Sequence, residues 1–350
     1  MTAWPGIRQV DVGLDFGSDG RVHYGRISLV DGGRYLFETD RDFLRRGINP
    51  APYTMARSIK EQEGSAAFAG LHTVFSDSEP DGWTKHLVER RAATSGFNPR
   101  DLTKLKGLAL VGDAGIGALS YSPQAGADVP LEQLGPDDIA ELISGVNDAT
   151  PAQIELAEKL AGSLGGMQPK AHVWSDGSSI SVSARVDFTP WILKFPSRGY
   201  QDEQAGVVEY AYSEMARRAG IQMPRTALIE SNTGPGYFAV ERFDRVGGRR
   251  LHYQSYGGLY GISPATPSTY SHLFVTAGEL AGDVSDQMIR RMAFNVLAVN
   301  RDDHVRNHGF LMDARGVWSL APAFDLTYNP NRHILTVGHA LDSQPTLQHM

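Results

Sequence analysis

No cysteine occurs among the 350 residues, which excludes disulfides, zinc–thiolate sites and thiol nucleophiles. An excess of basic charge is also missing: 33 Lys and Arg stand against 40 Asp and Glu, for a net charge of −7. A protein that coats nucleic acid by charge alone needs the opposite balance, so any DNA contact is expected to run through a partner. No apolar run approaches the length of a membrane span, and the start, Met-Thr-Ala-Trp-Pro, lacks a basic segment followed by an apolar core. A cytoplasmic protein with no membrane contact is therefore expected. What is present is ordinary for a folded chain, with 41% apolar and 21% charged residues, and the length suits about two domains.

Periodicity divides the chain into unlike stretches. Val10, Val12 and Leu14 alternate with polar neighbours, and Tyr24–Val30 and Arg34–Phe37 repeat the pattern around the turn Asp31-Gly32-Gly33. Leu108–Val111 and Gly117–Tyr121 read as further strands, and Thr84–Ala93 as a helix. Ser122–Gly135, with its prolines and glycines, reads as a linker. Helices are expected near Pro136–Val146, Pro151–Leu160 and Val207–Ala219. Strands are expected at Ala171–Trp174, Ile180–Ala184, Trp191–Phe195, Thr226–Glu230 and Tyr237–Glu241. Past about residue 268 the helix period dominates, as in Met288–Asn300.

The chemistry concentrates in Asn300-Arg301-Asp302-Asp303-His304-Val305-Arg306-Asn307, followed by Asp325 in Ala323-Phe324-Asp325-Leu326. An Asp with an Asn five residues on has the spacing of a protein-kinase catalytic loop, and a later Asp beside an aromatic residue would supply a second magnesium ligand. Phosphoryl transfer needs such a set because dense phosphate charge must be offset by a metal and fixed dipoles. Upstream, Gly162-Ser163-Leu164-Gly165-Gly166-Met167-Gln168-Pro169-Lys170 is a glycine-rich turn able to bring backbone N–H groups close to phosphate. Trp191-Ile192-Leu193-Lys194-Phe195-Pro196 places one lysine on an apolar strand, with Glu209 on the next helix as its natural brace. Tyr237–Arg245 ends a strand in charged residues where a nucleotide hinge would fall.

Each signal alone has an ordinary explanation: a glycine-rich connection, an edge lysine, a strand entering a polar loop, Asp and Asn capping turns. Their order is what points to phosphoryl transfer. A rival reading uses His304 and His308, spaced like a helical metal pair, with Asp302, Asp303 and Asp325 completing a metal-dependent hydrolase site.

Several motifs together resemble those of the HipA family, the serine/threonine-kinase toxins of bacterial toxin–antitoxin pairs. Phe75-Ser76-Asp77-Ser78-Glu79-Pro80-Asp81-Gly82-Trp83 is similar to the family's N-terminal element. Gly166-Met167-Gln168-Pro169-Lys170 resembles its phosphate loop, Ile192–Pro196 its strand lysine, and Ala239–Arg245 its hinge. Asp302–Asn307 resembles its catalytic motif, with Arg306 in place of lysine, and Ala321–Asp325 its metal-binding segment.

The resemblance implies an α+β, two-lobed protein-kinase-like fold. A β-rich N-terminal subdomain (1–125) would precede a nucleotide-binding lobe (126–245) and a mainly helical catalytic lobe (246–350). It implies ATP and Mg²⁺, with Asp302 as catalytic base and Asn307 and Asp325 as metal ligands. Nucleotide contacts would fall to Gly165, Gly166, Met167, Gln168, Lys170, Lys194, Glu241, Arg242, Phe243 and His304, with Glu209 bracing Lys194. Ser163 takes the place of the family's autophosphorylated serine. Expected partners are a helix-turn-helix antitoxin, DNA through that antitoxin, and a protein substrate such as an aminoacyl-tRNA synthetase. Relatives continue further beyond the position of Asp325, so the last lobe is expected to be cut short, exposing apolar surface. A catalytically inert kinase-fold module that docks the antitoxin is the alternative.

Overall fold

The computed structural model describes residues 6–126, 129–131, 133–162, 164–196, 204–330 and 335–336. The first unit is an antiparallel sheet of β1 (Gln9–Asp15), β2 (Arg21–Leu29), β3 (Tyr35–Thr39), β4 (Gln62–Glu63) and β5 (Leu119–Ser122), in the order β4-β3-β2-β1-β5. Alternation sends Val10, Val12 and Leu14 inward, where they meet Ile27, Phe37 and Phe75. The short helix α1 (Arg41–Arg45) follows β3, while α2 (Gly82–Thr94) and α3 (Lys104–Val111) come between β4 and β5.

Residues 108–111, expected as a strand, are the end of helix α3. Its apolar residues Leu105, Leu108 and Ala109 are buried at a spacing of three and four, and Thr103 caps it by accepting the Lys106 N–H at 3.3 Å. A four-residue apolar run cannot distinguish the two structures; the cap and the earlier Leu105 decide it.

The second unit holds α4 (Pro136–Ser144) and α5 (Pro151–Ala161), then a second antiparallel sheet. In sequence order its strands are β6 (Lys170–Ser175), β7 (Ile180–Ser181), β8 (Thr189–Lys194), β9 (Thr226–Ile229) and β10 (Tyr237–Glu241), and in space they run β7-β6-β8-β10-β9. Helix α5 opens on a reciprocal cap: Gln153 Oε1 accepts the Thr150 N–H at 2.9 Å, and Thr150 Oγ1 accepts the Gln153 N–H at 3.4 Å. One sheet face sends Ala171, Val173, Trp191, Leu193 and Ala239 into a core shared with Ile139, Ile154 and Leu160. The other face carries Lys170, Lys194, Phe238 and Val240, next to helix α6 (Ala205–Arg218).

The third unit contains the hairpin β11 (Arg245–Val246) and β12 (Arg249–Arg250), then β13 (His252–Ser255), α7 (Tyr256–Tyr260) and β14 (Ser268–Thr269). Helices α8 (Tyr270–Ala281) and α9 (Ser285–Leu297) precede β15 (Gly309–Met312), β16 (Trp318–Leu320) and β17 (Leu335–Thr336). Strands β13, β15 and β16 form an antiparallel sheet packed with α8, and β15 and β16 lie within the stretch past residue 268 where the helix period is expected to dominate. Val275, Ile289 and Leu297 on α8 and α9 remain about half exposed or more. Among the described residues, no helix is long and apolar enough to cross a membrane.

A buried ionic knot ties the first two units. Asp244 accepts from Arg242 Nε at 2.9 Å, from Arg245 Nη1 at 2.6 Å and from the Gly117 N–H at 2.7 Å. Arg242 and Arg245 also donate to the Gly115 carbonyl, at 3.0 and 2.9 Å. Burial opposes the charge on Asp244, but the two guanidiniums overcome it and hold its carboxyl far below the usual carboxylate range.

Candidate active site

The antiparallel register of β6 and β8 sets Lys170 opposite Lys194. Directly paired residues share a face, so both ammonium groups point into the cleft above the sheet. Lys194 Nζ donates to Glu209 Oε1 at 2.6 Å and to Asp325 Oδ1. Burial works against its charge, yet Asp325 and Glu209 more than compensate and keep its pKa above the ordinary lysine value. Lys170 has no such brace. Burial, and then repulsion from Lys194, lower its pKa to about 8, and its Nζ donates to the Gly165 carbonyl. Asp325 is pulled down to about 2, chiefly because Lys194 and Lys170 outweigh its desolvation.

Asp325 occupies a left-handed backbone position, φ +52°, which Asp tolerates better than most residues. The chain after it runs beside the start of the Asp302 loop. Asn300 forms a parallel bridge with Asn329, and the Asn300 amide reaches the Asp325 carbonyl at 3.4 Å. Within the loop, Asn307 Nδ2 donates to the Asp302 carbonyl at 2.9 Å, which turns the amide oxygen away from that contact. His304 Nδ1 accepts the Arg306 N–H at 3.2 Å, and His304 adds to the field that lowers Asp325.

Beneath the loop, His308 Nε2 lies 2.8 Å from Asp303 Oδ1, Tyr270 donates its hydroxyl to Asp303, and Asn295 Nδ2 donates to Tyr270 at 3.1 Å. This buried chain uses His308 and Asp303 as scaffolding. The hydrolase reading pairs His308 with His304 and draws on Asp302, Asp303 and Asp325 to complete a metal site, and no group of three or more His, Asp or Glu side chains able to hold a metal ion is found among the described residues.

The glycine-rich loop is open, with Met167 80% exposed and Gln168 partly covered. It is contacted by Asp81, which stands in a sequence motif but had no expected role of its own. Asp81 Oδ1 accepts the Gly166 N–H at 2.7 Å, and Asp81 Oδ2 accepts from Arg306 Nη1 at 2.7 Å. Its signal was the Pro80-Asp81-Gly82-Trp83 string, but nothing in the spacing linked that string to either loop. Ser163 lies outside the described residues.

At the expected hinge, the Glu241 N–H is taken by the Arg225 carbonyl and the Arg242 N–H by the Pro190 carbonyl, both at 2.9 Å. The Arg242 side chain, expected near the nucleotide, is committed to the Asp244 knot. Glu241 accepts from Thr189 Oγ1 at 2.7 Å. Phe243 sets its ring 5.6 Å from that of Phe324, beside Asp325.

Residues 162–348 match the HipA-like C-terminal domain and residues 20–122 the HipA N-terminal domain. The chain belongs to the HipA family. It is 25% identical over 325 residues to a Sinorhizobium fredii protein named "Putative kinase Y4dM", covering 86% of this chain and 73% of that one. It is 24% identical over 236 residues to the Shewanella oneidensis serine/threonine-protein kinase toxin HipA, covering 60% of this chain and 53% of the relative. The solved complex of Shewanella oneidensis HipA with HipB and operator DNA has a similar fold, with a TM-score of 0.64 at 17% identity over 91% of this chain and 76% of that one. This chain thus shares the α+β architecture of that structure, with strands β2–β5 of the first sheet inside the match to the N-terminal domain and the cleft residues inside the match to the C-terminal one.

Proposed function

We infer that this HipA-family chain is an ATP- and Mg²⁺-dependent serine/threonine protein kinase with a two-lobed cleft, acting as the toxin of a toxin–antitoxin pair. The observation that carries the reading is Lys194, held charged between Glu209 and Asp325 and set opposite Lys170 on the cleft face of the sheet. Two lysines kept together in a half-apolar cleft repel each other, and a polyphosphate is the ligand that turns this repulsion into attraction.

The donor set suits magnesium. Asp325 offers a carboxylate and Asn307 an amide oxygen, the hard oxygen ligands that this ion takes together with substrate phosphates. Bound there, it would supply positive charge against the β- and γ-phosphates. Lys194 and Lys170 grip phosphate oxygens, and the N–H groups of the glycine-rich loop cover them. Asp302 orients the attacking serine hydroxyl and takes its proton as the new O–P bond forms. The bond from the γ-phosphorus to the bridging oxygen breaks, and ADP leaves.

The partners belong to the same proposal: a HipB-like helix-turn-helix antitoxin, operator DNA reached through it, and a translation protein such as an aminoacyl-tRNA synthetase as substrate. Support for the first two comes from the partners in the Shewanella oneidensis complex. Ser163, just ahead of the glycine-rich loop, is the proposed autophosphorylation site. A phosphate there adds about −1.5 to −2 charge beside the nucleotide phosphates and so opposes nucleotide binding.

Incubation with labelled ATP and Mg²⁺, followed by mass spectrometry of the Ser163 peptide, tests the reading. Phosphate should appear there in the native protein and be lost in Asp302→Gln, with nucleotide binding largely kept. Full incorporation by Asp302→Gln overturns the mechanism. A wild-type protein that binds its antitoxin but transfers nothing is instead the inert docking module.

A further inference from the structure

Asp81 is the N-terminal cap residue of α2, yet its carboxylate makes no capping bond to that helix. An Asp at this position ordinarily turns back onto the first N–H groups of its own helix and stabilises it. Here it faces outward and joins two segments far apart in sequence. One oxygen receives the Gly166 N–H and the other the Arg306 guanidinium, each at 2.7 Å.

The approach is built into the backbone. The Trp83 N–H donates to the Gly166 carbonyl at 3.1 Å. Gly82 has φ +46°, and a Cβ on it would lie 2.3 Å from that same carbonyl oxygen. Only glycine lets the two chains pass this closely. Arg306 also approaches the Ser76 carbonyl at 3.5 Å, while nearby Asp77 accepts the N–H and hydroxyl of Ser255, both at 2.7 Å. The segment 76–83 therefore holds the glycine-rich loop, the Asp302–Asn307 loop and the start of α7 at once.

We propose that Asp81 is a positioning residue: it latches the glycine-rich loop to the catalytic loop, so that the N-terminal domain sets how the phosphate grip sits over Asp302. This rests on the kinase reading for its consequence, but the latch itself is a property of the nucleotide-free protein. Two charge-assisted bonds from one carboxylate fix both distance and orientation, as a single bond would not. Arg306 is then needed as a partner of Asp81 even though it is neither the catalytic Asp nor a metal ligand.

Hydrogen exchange on the full-length, nucleotide-free protein tests the latch. In Asp81→Asn, which keeps the side-chain shape, and in Arg306→Gln, amides of residues 165–168 and 304–307 should exchange roughly tenfold faster than in wild type, as expected for loss of a charged bond. Unchanged exchange in both peptides overturns the proposal. In phosphate transfer, the two variants should raise the KM for ATP with a smaller fall in kcat, and the double variant should be no worse than the worse single one. Asp81→Glu, which keeps the charge, should recover part of the loss. Additive losses, or a uniform fall with no rescue by Asp81→Glu, show a merely structural role and also overturn it. Wild-type protein without transfer defeats the kinase reading alone, and the exchange comparison then still decides the latch.

Discussion

Lys170 and Lys194 are cross-strand partners in the β6–β8 ladder, two ammonium groups on one face of one sheet, Lys170 buried and the Lys194 side chain 10% exposed. Like charges in that relation are unfavourable, and only Lys194 has a close acid on either side. The asymmetry leads to two different predictions.

For Lys194 the prediction concerns stability. Its side chain and that of Glu209 are 10% and 6% exposed, so Lys194→Met leaves a buried carboxylate without its counter-charge. A loss of about 3 kcal/mol is expected in urea denaturation, with part of it recovered in the double variant with Glu209→Gln. A double variant as unstable as the sum of the singles contradicts the pairing.

For Lys170 the prediction concerns pH. Its pKa is about 8 in the folded protein, against 10.5 for an unperturbed lysine, so between these values the unfolded chain holds the proton more tightly. Unfolding free energy should therefore rise with pH across that window, relative to Lys170→Met, by up to roughly 3 kcal/mol. Bound phosphate favours the charged lysine, so ATP binding above about pH 8 should take up a proton and weaken as pH rises. Calorimetry in buffers of different ionisation enthalpy measures that uptake.

How much of this was legible in the sequence differs from residue to residue. Lys194 and Glu209 could be paired because a strand lysine and a helix acid lie 15 residues apart in an expected order. The Lys170–Lys194 register could not, since it depends on where β6 and β8 meet across the loops between them. Asp81 was beyond reach for a related reason: its partners lie 85 and 225 residues away, and no local pattern encodes a contact of that span. Residues 108–111 were misjudged because a short apolar run carries no period of its own.

The buried chain under the catalytic loop makes Tyr270 a test of loop support. Tyr270→Phe removes the donor to Asp303 and leaves both Asp303 and Asn295 short of a partner. A loss of about 2 kcal/mol is expected on unfolding, with phosphate transfer falling more than nucleotide binding. Unchanged stability shows that water replaces the hydroxyl.

Asp244→Asn is expected to be severe. It leaves Arg242 and Arg245, both largely buried, facing each other without a full counter-charge. The expected loss is about 3–5 kcal/mol, read as a large fall in Tm. The change should also loosen the first domain from the second, visible as new protease cleavage between β5 and α4.

The Asp244 knot has a mechanical meaning as well. Gly115 and Gly117 belong to the first domain, whereas Arg242 and Asp244 directly follow the last strand of the cleft sheet. A tug on the N-terminal sheet thus reaches the end of β10 through short, charged, buried contacts. Whatever grips the outer face of that sheet holds the rim of the cleft at arm's length.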